Sequence, residues 1–257
     1  MTARRTLEVC VDSTASALAA KAGGADRLEL CADLAVGGTT PSAALVRQVK
    51  AETELPVRAL LRPRAGDFCY DRWELAQMEA LAAELTAAGA DAIVTGVLTP
   101  DGALDTGAMA RICDAVRAAA QTAGRPAVVT LHRAFDVCRD PFACLEEACA
   151  LGLATILTSG QAADAWAGRA LLAQLQRRAA GRVEILAGAG VNAGNIPALV
   201  RETGVAACHL SGKRAVPGRM VFRREGVPMG VPGFDEFTLW QTDPDAVRAA
   251  RAALDSL

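Results

Sequence analysis

The chain has 257 residues, 52% of them apolar, and a formal net charge of −2. That charge gives no electrostatic basis for nucleic acid or anionic lipid as a partner, and no apolar run reaches the roughly 20 residues of a membrane span. Met1-Thr2-Ala3-Arg4-Arg5 leads straight into a strand-like run, which predicts a cytoplasmic protein whose eight cysteines are free thiols.

The first run, Leu7-Glu8-Val9-Cys10-Val11, alternates aliphatic residues with Glu8 and Cys10. A strand has a side-chain period of two, so it has one aliphatic face and one Glu/Cys face. Asp12-Ser13-Thr14 then caps a helix ending near Ala22-Gly23-Gly24. The second strand, Arg27–Cys31, repeats the pattern with Glu29 and Cys31, and Gly37-Gly38-Thr39-Thr40-Pro41-Ser42 opens a helix to about Glu52. A third strand spans Val57–Pro63, and the loop through Arg64, Asp67 and Tyr70 precedes a helix to about Ala88. The fourth strand, Ala92–Leu98, turns at Thr99-Pro100-Asp101-Gly102 into a helix over Thr106–Ala120. The fifth, Ala127–Arg133, is followed by a helix over Pro141–Leu151. The sixth, Thr155–Ser159, precedes a helix beginning near Asp164, and the seventh, Val183–Ala187, leads through Gly188-Ala189-Gly190 to a helix after Gly194. The eighth is Ala207–Ser211, residues 213–240 read as an irregular insertion, and the last helix runs from about Pro244 to Leu254.

Eight strand–helix units of this spacing predict one α/β domain over residues 1–257, a (β/α)8 TIM barrel with helices outside a closed parallel sheet. An open doubly wound sheet lacks its glycine fingerprint, because no G-x-G-x-x-G follows the first strand, and no nucleotide cofactor is expected.

In such barrels the site lies at the C-terminal ends of the strands. The polar residues gathered there are Glu8, Cys10, Glu29, Cys31, Arg62, Arg64, His132, Arg133, Thr158, Ser159, His209 and Ser211. Two Glu facing two or three Arg form a self-neutralising set, which is also what a purely structural ion-pair network would look like. Both histidines of the chain, His132 and His209, fall at strand ends, where each suits proton transfer, metal ligation or a hydrogen-bonded core role. Cys113, Cys138, Cys144, Cys149 and Cys208 take helical, loop or outward positions and read as small apolar residues. Cys10 and Cys31 share the inward face of neighbouring strands about 4.8 Å apart. Together they could ligate one soft ion such as Cu(I). Without a C-x-x-C this is no zinc-ribbon loop.

At these residues a family becomes recognisable. Leu7–Ser13, Gly24–Cys31, Gly37–Ser42, Arg62–Phe68, Val94–Leu98, His132–Asp136, Leu157–Gly160, Ala187–Gly190, Met220–Arg223 and Met229-Gly230 together resemble the CutC copper-homeostasis family. Ala65 stands where that family usually has a second Gly. The resemblance implies a cytosolic TIM barrel, usually a homo-oligomer such as a dimer or tetramer, that handles copper. It also implies that the copper-linked cysteines of animal members fall on Cys10 and Cys31.

Two functional readings follow. In the first, Cys10 and Cys31 bind Cu(I). In the second, the mouth is an enzyme site for a small phosphorylated or carboxylated metabolite. Glu8, Glu29, Arg62 and His132 then do the chemistry, while Arg64, Asp67, Arg133, Ser159, Gly188, Gly190 and His209 hold the substrate. Arg62 and Arg64, two apart, are expected to face the mouth together opposite the backbone N–H groups around Gly188 and Gly190. A third reading is an oligomeric scaffold that binds a partner on its surface.

Overall fold

The computed structural model describes residues 4–224, 226–227 and 235–257; Met229 and Gly230 of the family pattern lie outside them. Eight parallel strands close into a barrel in sequence order, β8 hydrogen-bonding back to β1. They are β1 (Thr6–Val11), β2 (Arg27–Leu30), β3 (Val57–Leu60), β4 (Ala92–Thr95), β5 (Val128–Leu131), β6 (Thr155–Thr158), β7 (Glu184–Ala187) and β8 (Ala207–Leu210). The helices that cover them are α1 (Thr14–Ala22), α2 (Ala43–Thr53), α3 (Arg72–Ala87), α4 (Thr106–Thr122), α5 (Pro141–Ala150), α6 (Arg169–Ala179), α7 (Ile196–Thr203) and α8 (Pro244–Asp255).

Local sequence explains most helix starts. Ser13, Ser42, Asp71, Asp105, Asp140 and Asp243 each accept a hydrogen bond from a first-turn backbone N–H, and Asp71 with Glu74 forms a reciprocal capping box. Leu7, Val9, Val11, Leu28 and Leu30 lie in the apolar layer between strands and helices, fully buried. The opposite parity fills the interior: Cys10, Cys31, Leu60 and Val94 form one cluster there, and Leu157, Leu186 and Ala207 another.

The strands are shorter than the sequence pattern predicts. β3 ends at Leu60 because the chain then leaves the ladder, and the Arg62 N–H donates to Thr40 Oγ1 instead. β4 and β5 stop at Thr95 and Leu131, and Arg133–Val137 winds into a 3-10 turn. The helix expected near Asp164 begins at Arg169, because Gly160 and Gly168 pass in backbone contact first: a Cβ on Gly168 would sit 1.9 Å from the Ser159 carbonyl oxygen. The expected irregular insertion contains an antiparallel hairpin, β9 (Lys213–Pro217) with β10 (Thr238–Thr242). Both of its faces are largely exposed, so its sequence carries no inward–outward alternation. No helix among the described residues is long and apolar enough to cross a membrane.

Candidate functional site

Three tiers of polar side chains stack along the barrel interior toward the C-terminal mouth. The deepest is a closed network. Glu8, 1% exposed, lies 2.5 Å from Arg27 Nε, 3.5 Å from Arg58 Nε and 2.9 Å from His209 Nδ1. Arg27 also reaches Glu184 at 2.6 Å. Arg58 donates to Thr130 Oγ1 and Thr155 Oγ1, and Thr155 in turn donates to Glu184. Burial alone would raise the Glu8 carboxyl, but the His209 hydrogen bond and the two guanidinium groups hold it down at about 2. The arginines that neutralise Glu8 are therefore Arg27 and Arg58, not Arg62 and Arg64. A guanidinium must stand beside the carboxylate in register, and the Cα partner of Glu8 on β2 is Arg27.

The middle tier holds the thiols. Cys10 Sγ lies 3.8 Å from Cys31 Sγ, and Cys31 Sγ lies 3.7 Å from Glu29 Oε2. His209 Nε2 is 3.7 Å from the same carboxylate oxygen. Donor atoms of Cys10, Glu29 and Cys31 all fall within 4.8 Å of one another, as do those of Glu8, Glu29 and His209. The hydrogen bond from Cys31 holds the Cys10 thiol down to about 5 against its burial, with His209 assisting. Cys31 is pushed up because Cys10 takes the role of thiolate. Burial, together with the charge on Cys10 and Glu8, raises Glu29 to about 8. Burial works against a charged His209, yet Glu29, Cys10 and Glu8 around it raise it well above the usual imidazole value. The tier can thus carry a thiolate beside an imidazolium, a soft donor with its own counter-charge.

The rim carries Arg62 and His132. Arg62, 8% exposed, donates among the described residues to backbone carbonyls: Val36 and Gly38 through Nη1, and Gly66 through Nη2. His132, 5% exposed, accepts the Ala134 N–H at Nδ1, so its proton resides on Nε2. Burial and the nearby Arg62 charge lower it to about 3, leaving the ring neutral. The Phe68 ring covers both, 5.2 Å from the Arg62 guanidinium carbon and 4.8 Å from the His132 ring centre.

Residues 5–214 match the sequence profile of the CutC family. The chain belongs to the CutC family. A CutC family protein of Chromobacterium violaceum is 43% identical over 249 residues, covering 97% of this chain and 98% of its own length. One of Parabacteroides distasonis is 43% identical over 251 residues, covering 96% and 99%. Among solved structures, the CutC of Streptococcus agalactiae, whose name assigns it to copper homeostasis, superposes with a TM-score of 0.73 at 30% identity, covering 80% of this chain and 97% of that one. Phosphoribosylanthranilate isomerase from Pyrococcus furiosus, at 12% identity with a TM-score of 0.55, shares the barrel fold.

The remaining candidates of the family pattern scatter around the rim. Arg64 does not face the mouth beside Arg62: both lie beyond the end of β3, so strand parity no longer aligns them. Arg64 turns outward to Glu74 at 2.5 Å and Asp67 at 3.1 Å, stacked on Tyr70. Arg133 pairs with Asp136 at 2.7 Å and donates to Ser159 Oγ at 3.2 Å, half exposed. Gly188 leaves room for Leu157 and His209, since a Cβ there would stand 2.5 Å from Leu157 Cδ1. The Gly190 carbonyl accepts from Asn192 and Asn195, and its Cα faces Asp164. The sequence reading missed Arg27, Arg58 and Glu184, although all three share the inward parity of Glu8 and Glu29. It also missed Asp136, whose buried carboxylate accepts from Thr158 Oγ1, the Ser159 and Gln161 N–H groups and the Ser159 hydroxyl.

Proposed function

We propose that this CutC-family chain takes Cu(I) as cargo through Cys10 and Cys31, in a cytoplasmic copper-homeostasis role. The observation that carries this reading is the 3.8 Å between two buried sulfurs on adjacent strands. Two metal–thiolate bonds of about 2.3 Å span at most about 4.6 Å, so one ion in a bent geometry fits this pair without moving the strands. Thiolates select a soft monovalent ion over hard cations, and the buried apolar neighbours Leu60 and Val94 exclude water that would favour oxidation. His209 and Glu29 supply a further donor and a charge partner at the same depth. The copper-homeostasis name of the Streptococcus structure supports the same reading. In anaerobic titration against a chromophoric Cu(I) chelator, the wild type is expected to bind one equivalent. The Cys10→Ser/Cys31→Ser variant is expected to lose at least about 100-fold in affinity, near 2.7 kcal/mol. Equal stoichiometry and affinity in the two proteins would overturn the reading.

A second reading has one specific observation behind it. Glu8 and Glu29 flank His209 at 2.9 and 3.7 Å inside the barrel, bridging the floor network and the thiol tier. Two carboxylates sharing an imidazole suit proton transfer on a small anionic metabolite. Glu29→Gln separates the readings: it stops turnover in the second and leaves one equivalent of Cu(I) bound in the first.

A further inference from the structure

Among the described residues, six buried side-chain nitrogen or oxygen atoms have no hydrogen-bond partner, and three of them belong to Arg62 (Nε), Tyr70 (Oη) and His132 (Nε2). All three residues border the loop between β3 and α3. A buried polar atom left unpaired costs about 1–3 kcal/mol, so such a concentration in one place calls for a ligand. The charge balance points the same way. Every other guanidinium inside the barrel stands beside a carboxylate, Arg27 and Arg58 beside Glu8 and Glu184. Among the described residues, the Arg62 guanidinium meets three carbonyl oxygens and the Phe68 ring but no carboxylate.

Both donors belong to side chains packed against one ring, that of Phe68. Arg62 follows β3 and His132 follows β5, with Gly96 beyond β4 between them. A Cβ at Gly96 would lie 2.8 Å from His132 Nδ1 and 2.9 Å from the Ala134 Cβ, so only the bare glycine lets the imidazole lean across the intervening strand. The Ala134 N–H then fixes the tautomer with the proton on Nε2. The result is one cationic N–H and one neutral N–H, each on a side chain packed against the Phe68 ring.

We propose that Arg62 Nε and His132 Nε2 form the seat of a small oxyanion, a carboxylate or phosphate group of a metabolite, which Phe68 covers when the seat is empty and vacates when the anion enters. The seat is distinct from the thiol pair and requires neither copper nor the Glu8/Glu29 pair. A full positive charge with no carboxylate beside it, together with a neutral N–H donor against the same aromatic ring, favours an oxyanion over a neutral ligand.

The test uses inorganic phosphate against chloride at matched ionic strength, read by thermal unfolding and by 31P line broadening. Millimolar phosphate is expected to raise the wild-type Tm by about 2–4 °C over chloride. Phe68→Ala, which removes the cover, is expected to respond more strongly than the wild type. Arg62→Met and His132→Phe, which remove a donor each, are expected to lose the response, while Cys10→Ser/Cys31→Ser keeps it. Acetate in place of phosphate then distinguishes a carboxylate seat from a phosphate seat by whichever gives the larger shift. Where Arg62→Met does not fold, His132→Gln, which retains an N–H donor, is expected to keep part of the line broadening that His132→Phe loses. The proposal is overturned if wild type and Phe68→Ala respond to phosphate and acetate no more than to chloride, or if His132→Phe responds as the wild type does.

Discussion

The floor and the rim of this barrel are built from the same residue types and treat them in opposite ways. At the floor, Arg27 and Arg58 meet Glu8 and Glu184, and two threonines take the leftover donors. At the rim, Arg62 and His132 are equally buried, yet each keeps one N–H unpartnered. Between them, two thiols stand 3.8 Å apart with one thiolate's worth of charge. A network that satisfies itself has nothing left to offer a ligand, whereas groups held desolvated and incomplete do. The comparison makes the floor the structural half and leaves the middle and rim with groups still to offer a ligand.

The largest effect that can break this comparison is expected at the floor. Glu8→Ala leaves two arginines buried without their carboxylate and is expected to cost about 3–5 kcal/mol in urea unfolding. A cost below about 1 kcal/mol would mean that the floor is not the structural half. Single removal is the decisive form, because replacing the whole ion set by apolar residues can be nearly neutral.

A smaller effect is expected in the pH dependence. Burial lowers His132 from its ordinary 6.5 to about 3, so between those values the unfolded chain takes up a proton that the folded chain refuses. Stability from this group is therefore present above about pH 6.5 and is lost as pH falls toward 3, by up to about 1.4 kcal/mol per pH unit. Glu29, raised to about 8, works in the opposite sense, losing stability as pH rises from 4.5 toward 8. The difference between wild type and His132→Gln in phosphate-free buffer isolates the histidine. A wild-type slope between pH 6.5 and 4.5 no steeper than that of His132→Gln would show that the ring is not held neutral by its burial.

The floor and the thiol tier were legible in the chain because strand parity carries them. Leu7, Val9 and Val11 had to face the helices, which sent Glu8 and Cys10 inward, and the same rule applied to Arg27 and Arg58 would have found the partners of Glu8. The rim was only half legible. The partners of Arg62 are carbonyls of Val36, Gly38 and Gly66, set by the paths of two loops that no periodicity encodes. Arg62 and Arg64 both lie past the last ladder residue, Leu60, so their spacing of two no longer aligns them, and Arg64 turns outward to Glu74. The β9–β10 hairpin escaped because its sheet is wet on both sides and needs no alternation.

The thiol pair is the claim on which the functional reading turns, and X-ray absorption at the copper edge of the Cu(I)-loaded wild-type protein tests it most directly. Two sulfur scatterers at about 2.3 Å, with at most one light atom beside them, are the expected first shell. A shell made only of nitrogen and oxygen, or a two-sulfur shell that persists unchanged in Cys10→Ser/Cys31→Ser, would contradict it.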